Sequence, residues 1–375
     1  MGKHVMRRIA GVLCLLLMWG QLRLPTAAIG VSAASAVLID GEGHVLYNKD
    51  ADTRRPMAST TKIMTALVVI ESCVLTDVVT IPREAVGVEG SSVYLVENER
   101  LTVEQLLYAV LLASANDAAT ALALFAAGSL EAFAALMNEK AAALGLTDTA
   151  FVNPHGLDHE NHYTTAKELA MLTAYAMKNE IFRTIVSTVK TTIPLNGTER
   201  GRWLTNHNRL LRSYDGCIGV KTGFTKRSGR CLVSAAERDG VLLIAVTLNA
   251  SDDWNDHRRL LDHGFALCER VTLIPEKGLS GTAPLIGGQI ETLCYRVDGP
   301  LVVTLCGKGH TVRTVFEMRR FYFAPIAEGQ VLGEVVFYDG RIELARQTVY
   351  AEKEIAVREE KQTFWEWLLS LLGIG

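Results

Sequence analysis

The chain has 375 residues, of which 49% are hydrophobic and 21% charged, so it has enough apolar material for a sizeable core in one or two domains. Its 31 glycines and 9 prolines form no repeat, which excludes a collagen-like or low-complexity protein. The 38 basic and 41 acidic side chains give a formal net charge of −3, and this balance does not favour nucleic acid as a partner.

The first 33 residues have the pattern of a secretory signal peptide. Basic residues precede an apolar run from Ile9 to Trp19, and small residues follow this run. The run is shorter than the about 20 apolar residues that a membrane-spanning helix needs. We therefore predict that residues 1–33 direct export across the cytoplasmic membrane, with cleavage between Ala27 and Ala34. A short anchor or a buried helix is the alternative.

Residues 34–270 read as strands, then a long helical insertion, then strands and a helix. The segment from Ser35 to Asn48 predicts a β-hairpin, and helical periodicity dominates from Ser59 to about Lys178. Three strand patterns and one helix pattern follow: Gly216 to Phe224, Arg230 to Glu237, Val241 to Asn249 and Trp254 to Cys268. We predict an α/β (α+β) catalytic domain in which helices pack on an antiparallel sheet.

Two helix starts in the insertion carry the capping-box pattern. They are Thr102-x-x-Gln105 and Thr165-x-x-Glu168. In a capping box, each of the two side chains accepts a hydrogen bond from the backbone N–H of the other residue. We therefore expect the side chains of Gln105 and Glu168 to have a structural role at the start of a helix.

The last third of the chain differs in texture from the first domain. Residues 271–355 contain short β-rich runs separated by glycine turns, which predicts a small all-β domain. Residues 356–375 place two tryptophans and several leucines behind a charged segment, and this stretch is too short to cross a bilayer. We predict an amphipathic helix that holds the exported protein on the membrane surface. A helix docked on its own domain is the alternative.

The cysteines and histidines do not predict a metal site or a cofactor. None of the six cysteines outside the signal peptide forms a C-x-x-C pair. Cys217 and Cys231 flank one predicted hairpin, where a disulfide and two free thiols are both possible. His155, His159 and His162 lie in a loop with glycine and proline, without the carboxylate pattern that a metal site would need.

The strongest chemical signal is Ser59-Thr60-Thr61-Lys62 at the start of a predicted helix. A serine hydroxyl is a weak nucleophile until a base accepts its proton. A lysine three residues further along a helix faces the same side, so its amine lies beside the hydroxyl. Burial and a second cation, for which Lys221 is the candidate, would lower the pKa of Lys62 and let it act as general base. The backbone N–H of Ser59 is a candidate oxyanion donor.

Lys221-Thr222-Gly223 lies on a predicted strand and fits the recognition of a peptide end. The edge of a strand pairs with an extended peptide, while lysine and threonine hold a terminal carboxylate. Gly223 lacks a Cβ, and we expect this to let a ligand approach the strand closely. The N–H of Phe224 is the second candidate oxyanion donor.

Ser114-Ala115-Asn116 lies between two helical segments and completes the set. We predict that Ser114 relays a proton to the leaving nitrogen and that Asn116 orients Lys62 and the substrate amide. An isolated S-x-x-K is weak evidence, since Ser187-Thr188-Val189-Lys190 matches it equally well. We assign this second match to a surface strand or loop because no helical pattern follows it.

With these three motifs the chain resembles the penicillin-binding protein and serine β-lactamase superfamily. It is most similar to the low-molecular-mass D-alanyl-D-alanine carboxypeptidases of peptidase family S11, which it also matches in the loop from Phe151 to Leu157. The resemblance covers nearly the whole chain. It implies a β-lactamase-like catalytic fold and a Ser59 acyl-enzyme that releases the terminal D-Ala of a peptidoglycan stem peptide ending in D-Ala-D-Ala. It also implies covalent inhibition by β-lactam antibiotics.

Two other functions remain as alternatives. A class A-like β-lactamase would need a loop glutamate for deacylation, followed shortly by an asparagine. Glu168 is the nearest candidate but is expected to cap a helix, and Glu160 is followed at once by Asn161, which is the wrong offset. The other alternative is a catalytically idle homologue that binds the cell wall.

Overall fold

The computed structural model describes residues 29–196, 198–307 and 309–359, with the side chains of residues 198–200 excepted. Most of the predicted signal peptide and of the predicted C-terminal helix therefore lies outside the described residues. At residues 356–359, where we expected that helix to begin, the chain instead forms an isolated β-bridge between Val357 and Gly288.

An antiparallel sheet lies at the centre of the first domain. The strands up to residue 250 are β1 (Ser35–Asp40), β2 (Val45–Lys49), β3 (Val78–Thr80), β4 (Arg100–Thr102), β5 (Lys190–Leu195), β6 (Thr198–Thr205), β7 (Cys217–Thr225), β8 (Gly229–Arg238) and β9 (Val241–Ala250). Five of them form the sheet in the order β2-β1-β9-β8-β7, which confirms the predicted antiparallel arrangement. Because β7 is an edge strand, one side of its backbone has no neighbouring strand in the sheet.

Helices pack on both faces of this sheet. They are α1 (Lys62–Ser72), α2 (Val103–Leu112), α3 (Asn116–Ala127), α4 (Leu130–Ala143), α5 (Ala166–Met177), α6 (Glu180–Ser187) and α7 (Asp253–Ala266). The insertion between β2 and β7 supplies all of them except α7. Helix α1 is apolar on most sides and lies in the main core. Helix α7 covers the opposite face, where Leu260 and Leu261 pack with Leu38 and Leu243.

Only one of the two expected capping boxes is complete. Thr102 and Gln105 exchange both hydrogen bonds at the start of α2. Thr165 accepts a hydrogen bond from the N–H of Glu168, but the Glu168 carboxylate accepts from the N–H of Asp148 at 2.9 Å and from a neighbouring threonine hydroxyl. The prediction for the second box is therefore half wrong, because the preceding loop competes for the glutamate side chain. The role of Glu168 is still structural.

The last third of the described chain is all β, as predicted. Its strands are β10 (Cys268–Ile274), β11 (Leu279–Ile286), β12 (Thr292–Val297), β13 (Leu301–Cys306), β14 (Val312–Met318), β15 (Tyr322–Phe323), β16 (Val331–Asp339) and β17 (Ile342–Ala351). Six of them form a sheet in the order β14-β16-β17-β12-β11-β15, with a core of its own. The residue 270 boundary expected from sequence falls within β10, which pairs with β13.

A disulfide joins Cys268 and Cys306, opposite each other on β10 and β13. Cys217 and Cys231, for which the sequence left a disulfide open, are both free. They lie on paired strands but not opposite each other, since Cys217 faces Ala236 in the ladder. Burial raises the pKa of both of these thiols to about 11.

Within the described ranges, no single helix is long and apolar enough to cross a membrane. Helices α3 and α4 reach the length and apolar composition of a membrane span only when taken together, and the chain bends by 84° between them.

Candidate active site

Ser59 and Lys62 lie one turn apart, where the short 3₁₀ helix Ala58–Thr61 leads into α1. The Nζ atom of Lys62 is 3.1 Å from Oγ of Ser59. Ala58, directly before the serine, has a φ of 48°, which is uncommon for a residue other than glycine. The backbone at this junction therefore holds the amine and the hydroxyl within hydrogen-bond distance, as the S-x-x-K spacing predicts.

Three oxygen atoms surround the amine of Lys62. Besides the Ser59 hydroxyl, they are Oδ1 of Asn116 and the backbone oxygen of His155, each at 2.6 Å. The two carbonyl-type oxygens only accept hydrogen bonds, whereas a hydroxyl also donates. A neutral Lys62 therefore gives its two N–H groups to Asn116 and His155, and its lone pair is left for the proton of Ser59.

The surroundings of Lys62 favour this neutral form. Burial lowers the pKa of Lys62 well below its usual range, and the nearby charge of Lys221 lowers it further. The carboxylate of Asp117 acts in the opposite sense. Lys221 is itself buried, and the cost of desolvation lowers its pKa to about 7. The second cation expected from the sequence is therefore close enough to act on Lys62.

Asn116 is held by the loop before β4, so its orientation is fixed. Its side-chain nitrogen donates to the backbone oxygen of Glu89 at 2.5 Å, and its backbone N–H donates to Ser91 at 2.7 Å. The next residue, Asp117, is buried, and its carboxylate accepts from Ser92 and from backbone N–H groups of the same loop. Asp117 thus organises the loop that supports Asn116, a role that the sequence analysis did not assign.

The loop from Phe151 to Leu157 passes beneath the start of α1. The backbone oxygen of Pro154 accepts a hydrogen bond from the Thr65 hydroxyl. The backbone oxygen of the next residue, His155, accepts from the amine of Lys62. Gly156 lies against Ala58 so closely that a Cβ would overlap the carbonyl of Ala58. The loop therefore acts through backbone oxygens. This role was not predicted, because the sequence shows only the side chains of the loop.

His162 has a structural place at the same helix start. Its Nδ1 accepts from the N–H of Val152 at 3.1 Å, so its Nε2 carries the proton that it shares with Thr61 at 2.7 Å. Burial lowers its pKa to about 4, which keeps the ring neutral. In the described ranges, no group of three or more His, Cys, Asp or Glu side chains is arranged to hold a metal ion.

Gly223 packs directly against the nucleophile's own backbone. A Cβ at this position would lie 3.0 Å from the N atom of Ser59 and 3.1 Å from the backbone of Met57 and Thr60. The expected reason for this glycine was access for a ligand, and that expectation stays a prediction. The glycine also lets strand β7 approach the helix that carries Ser59, which sets the N–H groups of Ser59 and of Phe224 on adjoining segments.

A cleft of about 610 Å³ opens above Ser59 along the edge of β7. Of the predicted residues, Ser59, Ser114, Thr222, Gly223 and Phe224 line it, while the buried amines lie behind this surface. Ser114 has a φ of 60° and its hydroxyl forms no hydrogen bond with Lys62 or Lys221. The relay expected of Ser114 is therefore not connected to either amine by a direct hydrogen bond and stays a prediction.

The outer wall of the cleft was not predicted from the sequence. It is formed by the segment before β7, by the start of β8 and by the start of α7, with the cleft-lining residues Asn206, His207, Arg209, Arg212, Arg230, Asp253 and Trp254. Asn206 fixes this segment, because its amide nitrogen donates to the backbone oxygens of Val186 and Thr188 at the end of α6. The N-x-N spacing of Asn206 and Asn208 was the available signal, since such side chains bond to nearby backbone groups.

The competing candidates lie elsewhere. Glu168 is engaged by the loop at Asp148, and neither it nor Glu160 lines the cleft. Asp253 is the one carboxylate among the described residues that does, and it lies 3.5 Å from Arg230. Neither Ser187 nor Lys190 of the second S-x-x-K match lines the cleft: Ser187 ends α6 and Lys190 begins β5. The expectation of a strand or loop there missed that terminal helix.

Known proteins resemble this chain in both sequence and fold. Residues 23–252 match the family model of peptidase S11, described as D-alanyl-D-alanine carboxypeptidase. The D-alanyl-D-alanine carboxypeptidase DacF of Bacillus subtilis is 33% identical over 91% of this chain and 92% of its own length. The D-alanyl-D-alanine carboxypeptidase of Streptomyces sp. strain K15 is 38% identical over 64% of this chain and 88% of its own.

Solved structures agree with the sequence matches. Penicillin binding protein 5 from Haemophilus influenzae has a TM-score of 0.62 at 28% identity, over 87% of this chain and 98% of that one. The Streptomyces K15 DD-transpeptidase has a TM-score of 0.61 at 36% identity, over 64% of this chain and 98% of its own.

Proposed function

The chain belongs to the D-alanyl-D-alanine carboxypeptidase family, peptidase S11, and we propose that Ser59 is its nucleophile and Lys62 its general base. It is a serine D-Ala-D-Ala carboxypeptidase of peptidoglycan metabolism. One observation carries the assignment of residues. The amine of Lys62 lies between the Ser59 hydroxyl and two acceptor oxygens, with its charged form disfavoured by burial.

In the proposed first step, neutral Lys62 accepts the proton of Ser59 while Oγ attacks the carbonyl carbon of the penultimate D-Ala. The carbonyl oxygen becomes an oxyanion, for which the N–H groups of Ser59 and Phe224 are the proposed donors. The close approach of β7 to Ser59 at Gly223 supports this pairing.

Collapse of the intermediate breaks the peptide bond. The proton taken up by Lys62 passes to the leaving nitrogen, and we propose Ser114 as the relay, since it lines the cleft beside Ser59. Free D-Ala leaves, and the rest of the peptide stays as an ester on Ser59. Water then attacks this ester while Lys62 accepts its proton. As the bond from the acyl carbon to Oγ breaks, Lys62 returns this proton to Oγ, which releases the shortened peptide and regenerates the hydroxyl.

The substrate is proposed to lie along the free edge of β7. An extended peptide pairs with such an edge through backbone hydrogen bonds. We propose that Thr222, which lines the cleft, and Lys221, which is buried behind it, hold the terminal carboxylate. Asn116 is proposed to orient both Lys62 and the substrate amide. A β-lactam antibiotic would enter the same site and acylate Ser59, in keeping with the penicillin binding protein among the structural neighbours.

We further propose that the protein works on the outer side of the cytoplasmic membrane. Its stem-peptide substrate belongs to the cell wall, and residues 1–33 have the pattern of a signal peptide. The apolar residues and two tryptophans of the 356–375 segment support attachment to the membrane surface. The all-β residues 271–355 would then separate the catalytic residues 34–270 from this attachment.

Release of D-Ala from a diacetyl-lysyl-D-Ala-D-Ala peptide tests the assignment. We expect the wild-type chain to release D-Ala and Ser59→Ala to release none. The second S-x-x-K motif offers a matched control, because Ser187→Ala should keep full activity. Activity retained by Ser59→Ala, or lost by Ser187→Ala in a folded protein, would overturn the proposal.

A further inference from the structure

An exposed patch of aromatic and basic side chains lies on the all-β unit, and no part of the proposed catalytic function uses it. We call it the distal patch: Arg319, Arg320, Phe321, Phe323 and Ile286. The side chains of Phe321, Phe323 and Ile286 are 46%, 64% and 48% exposed. The two phenylalanine rings stack edge to face at 5.5 Å, and Ile286 lies beside Phe323 in the parallel pairing of β11 with β15.

On either side of Tyr322 the chain alternates between core and surface. Tyr322, between the two phenylalanines, is buried, and its hydroxyl donates to the backbone oxygen of Leu332. Because side chains of a strand alternate, the buried tyrosine fixes its two neighbours on the outside. The buried Tyr322 thus anchors the segment while the rings of Phe321 and Phe323 stay exposed on either side of it.

The arginines of the patch are exposed and are not neutralised by the protein. Among the described residues, no carboxylate lies within ion-pair distance of Arg319 or Arg320. Glu317, two residues before Arg319, is instead paired with Arg346 at 2.8 Å. The patch therefore combines apolar area with unpaired positive charge.

The patch lies at the end of the sheet that points away from the catalytic unit. The opposite end, at the turn between β16 and β17, adjoins the β1–β2 hairpin, since Asp339 and Ile342 share a pocket with Asp40 and His44. The ten residues of β17 between the two ends span roughly 33 Å at about 3.3 Å per residue.

The chain also leaves the described fold beside the patch. The N–H of Arg358 donates to the backbone oxygen of Gly287 at 2.8 Å, next to Ile286. Residues 360–375, with Trp365 and Trp367, continue from there. A single weak membrane contact gives only reversible attachment, and stable anchoring takes a second one.

We propose that the distal patch binds directly to the surface of a bilayer that contains anionic lipids. The phenylalanine rings and Ile286 would enter the headgroup boundary, and the arginines would contact lipid phosphates. Packing of residues 360–375 onto the patch is the competing occupant. Those residues carry one lysine and two glutamates, so they offer the arginines less charge than a phosphate surface does. The inference does not depend on the proposed catalytic residues.

Vesicle co-sedimentation of the full mature chain tests this proposal. The probe is vesicles of equal parts phosphatidylglycerol and phosphatidylcholine, compared with phosphatidylcholine alone. The starting variant carries Trp365→Ser and Trp367→Ser, which weaken the membrane contact proposed for residues 356–375. We expect this variant still to bind the anionic vesicles, and the further changes Phe321→Ser and Phe323→Ser to abolish that binding. Arg319→Gln should weaken binding to the anionic vesicles about fivefold and leave binding to phosphatidylcholine vesicles unchanged. A basic residue near an anionic surface contributes about 1 kcal/mol.

Two matched controls keep the result interpretable. Trp203, on β6 of the catalytic unit, is 76% exposed, and Arg341 is exposed at the opposite end of the same sheet. Trp203→Ser and Arg341→Gln should leave vesicle binding unchanged. D-Ala release and the circular dichroism spectrum report that each variant folds. The proposal is overturned if the terminal-tryptophan variant does not bind vesicles, or if the phenylalanine changes leave its binding intact or increase it.

Discussion

Oδ1 of Asn116 lies 2.6 Å from Nζ of Lys62, and the nitrogen of the same amide donates to the backbone oxygen of Glu89. The donated bond fixes which end of the amide faces the lysine. Asn116 therefore presents a neutral acceptor to Lys62 where a carboxylate would stabilise the ammonium form. The neutral acceptor is consistent with a lysine that must accept a proton.

Asn116→Asp should raise the pKa of Lys62, since a carboxylate beside an amine favours its charged form. Each unit of increase lowers the neutral fraction of Lys62 about tenfold at a pH below the pKa. We expect acylation by a fluorescent penicillin to slow at pH 7 and to recover as the pH rises. Equal acylation rates of the variant and the wild type across this range would contradict the role given to Asn116.

Lys221→Met should move the acidic limb of the pH–acylation profile to higher pH. The positive charge of Lys221 lowers the pKa of Lys62, so its removal lets that pKa rise. The limb position, rather than the absolute rate, is the readout, because the variant also loses a substrate contact. Lys226→Gln is the control, since this lysine is exposed just beyond β7. An unchanged limb in Lys221→Met would show that the two amines do not interact.

The same substitution should change the pH dependence of stability. The pKa of Lys221 is about 7 in the folded chain against an ordinary value of 10.5. Between these values the unfolded chain binds one more proton at this site, so the free energy of unfolding rises with pH. The rise is about 1.4 kcal/mol per pH unit for one proton. The free energy of unfolding, measured with urea from pH 7 to 10, should rise less steeply with pH in Lys221→Met, by about this amount per unit. An identical pH dependence in both proteins would show that burial does not lower the pKa of Lys221.

Gly223→Ala should separate β7 from the serine. The added Cβ would meet backbone atoms of Met57, Ser59 and Thr60 at 3.0 to 3.1 Å, and backbone yields less readily than a side-chain tip. We expect a loss of about 1–3 kcal/mol in stability and a fall in acylation of about a hundredfold. Gly240→Ala, at a φ of 79° in a remote turn, is the control that loses stability without losing acylation. Normal acylation by a folded Gly223→Ala would contradict the close approach.

The sequence predicts the parts of the site that depend on local geometry. The spacing of Ser59 and Lys62 on one helical turn places their side chains together whatever the rest of the chain does. The strands β7, β8 and β9 are likewise visible as short runs rich in apolar residues, with Asp239-Gly240 marking the turn between β8 and β9. What brings Asn116 and Lys221 to this helix is long-range packing, and there the ordered motifs of a known family supplied the prediction.

The missed features all depend on contacts between distant segments. The acceptor role of His155 belongs to a backbone oxygen and leaves no mark on residue type. Gly223 looks the same in sequence whether a ligand or a helix lies against it. The bond between Cys268 and Cys306 requires the pairing of β10 with β13, which are 38 residues apart at the two cysteines.

Peptide mapping after reaction with benzylpenicillin tests the central claim most directly. The account predicts one covalent adduct per chain, on the peptide that contains Ser59, and no adduct in Lys62→Met although this variant folds. An adduct on Ser187 or Ser114 instead, or full acylation of Ser59 without Lys62, would contradict the pairing of this serine with this lysine.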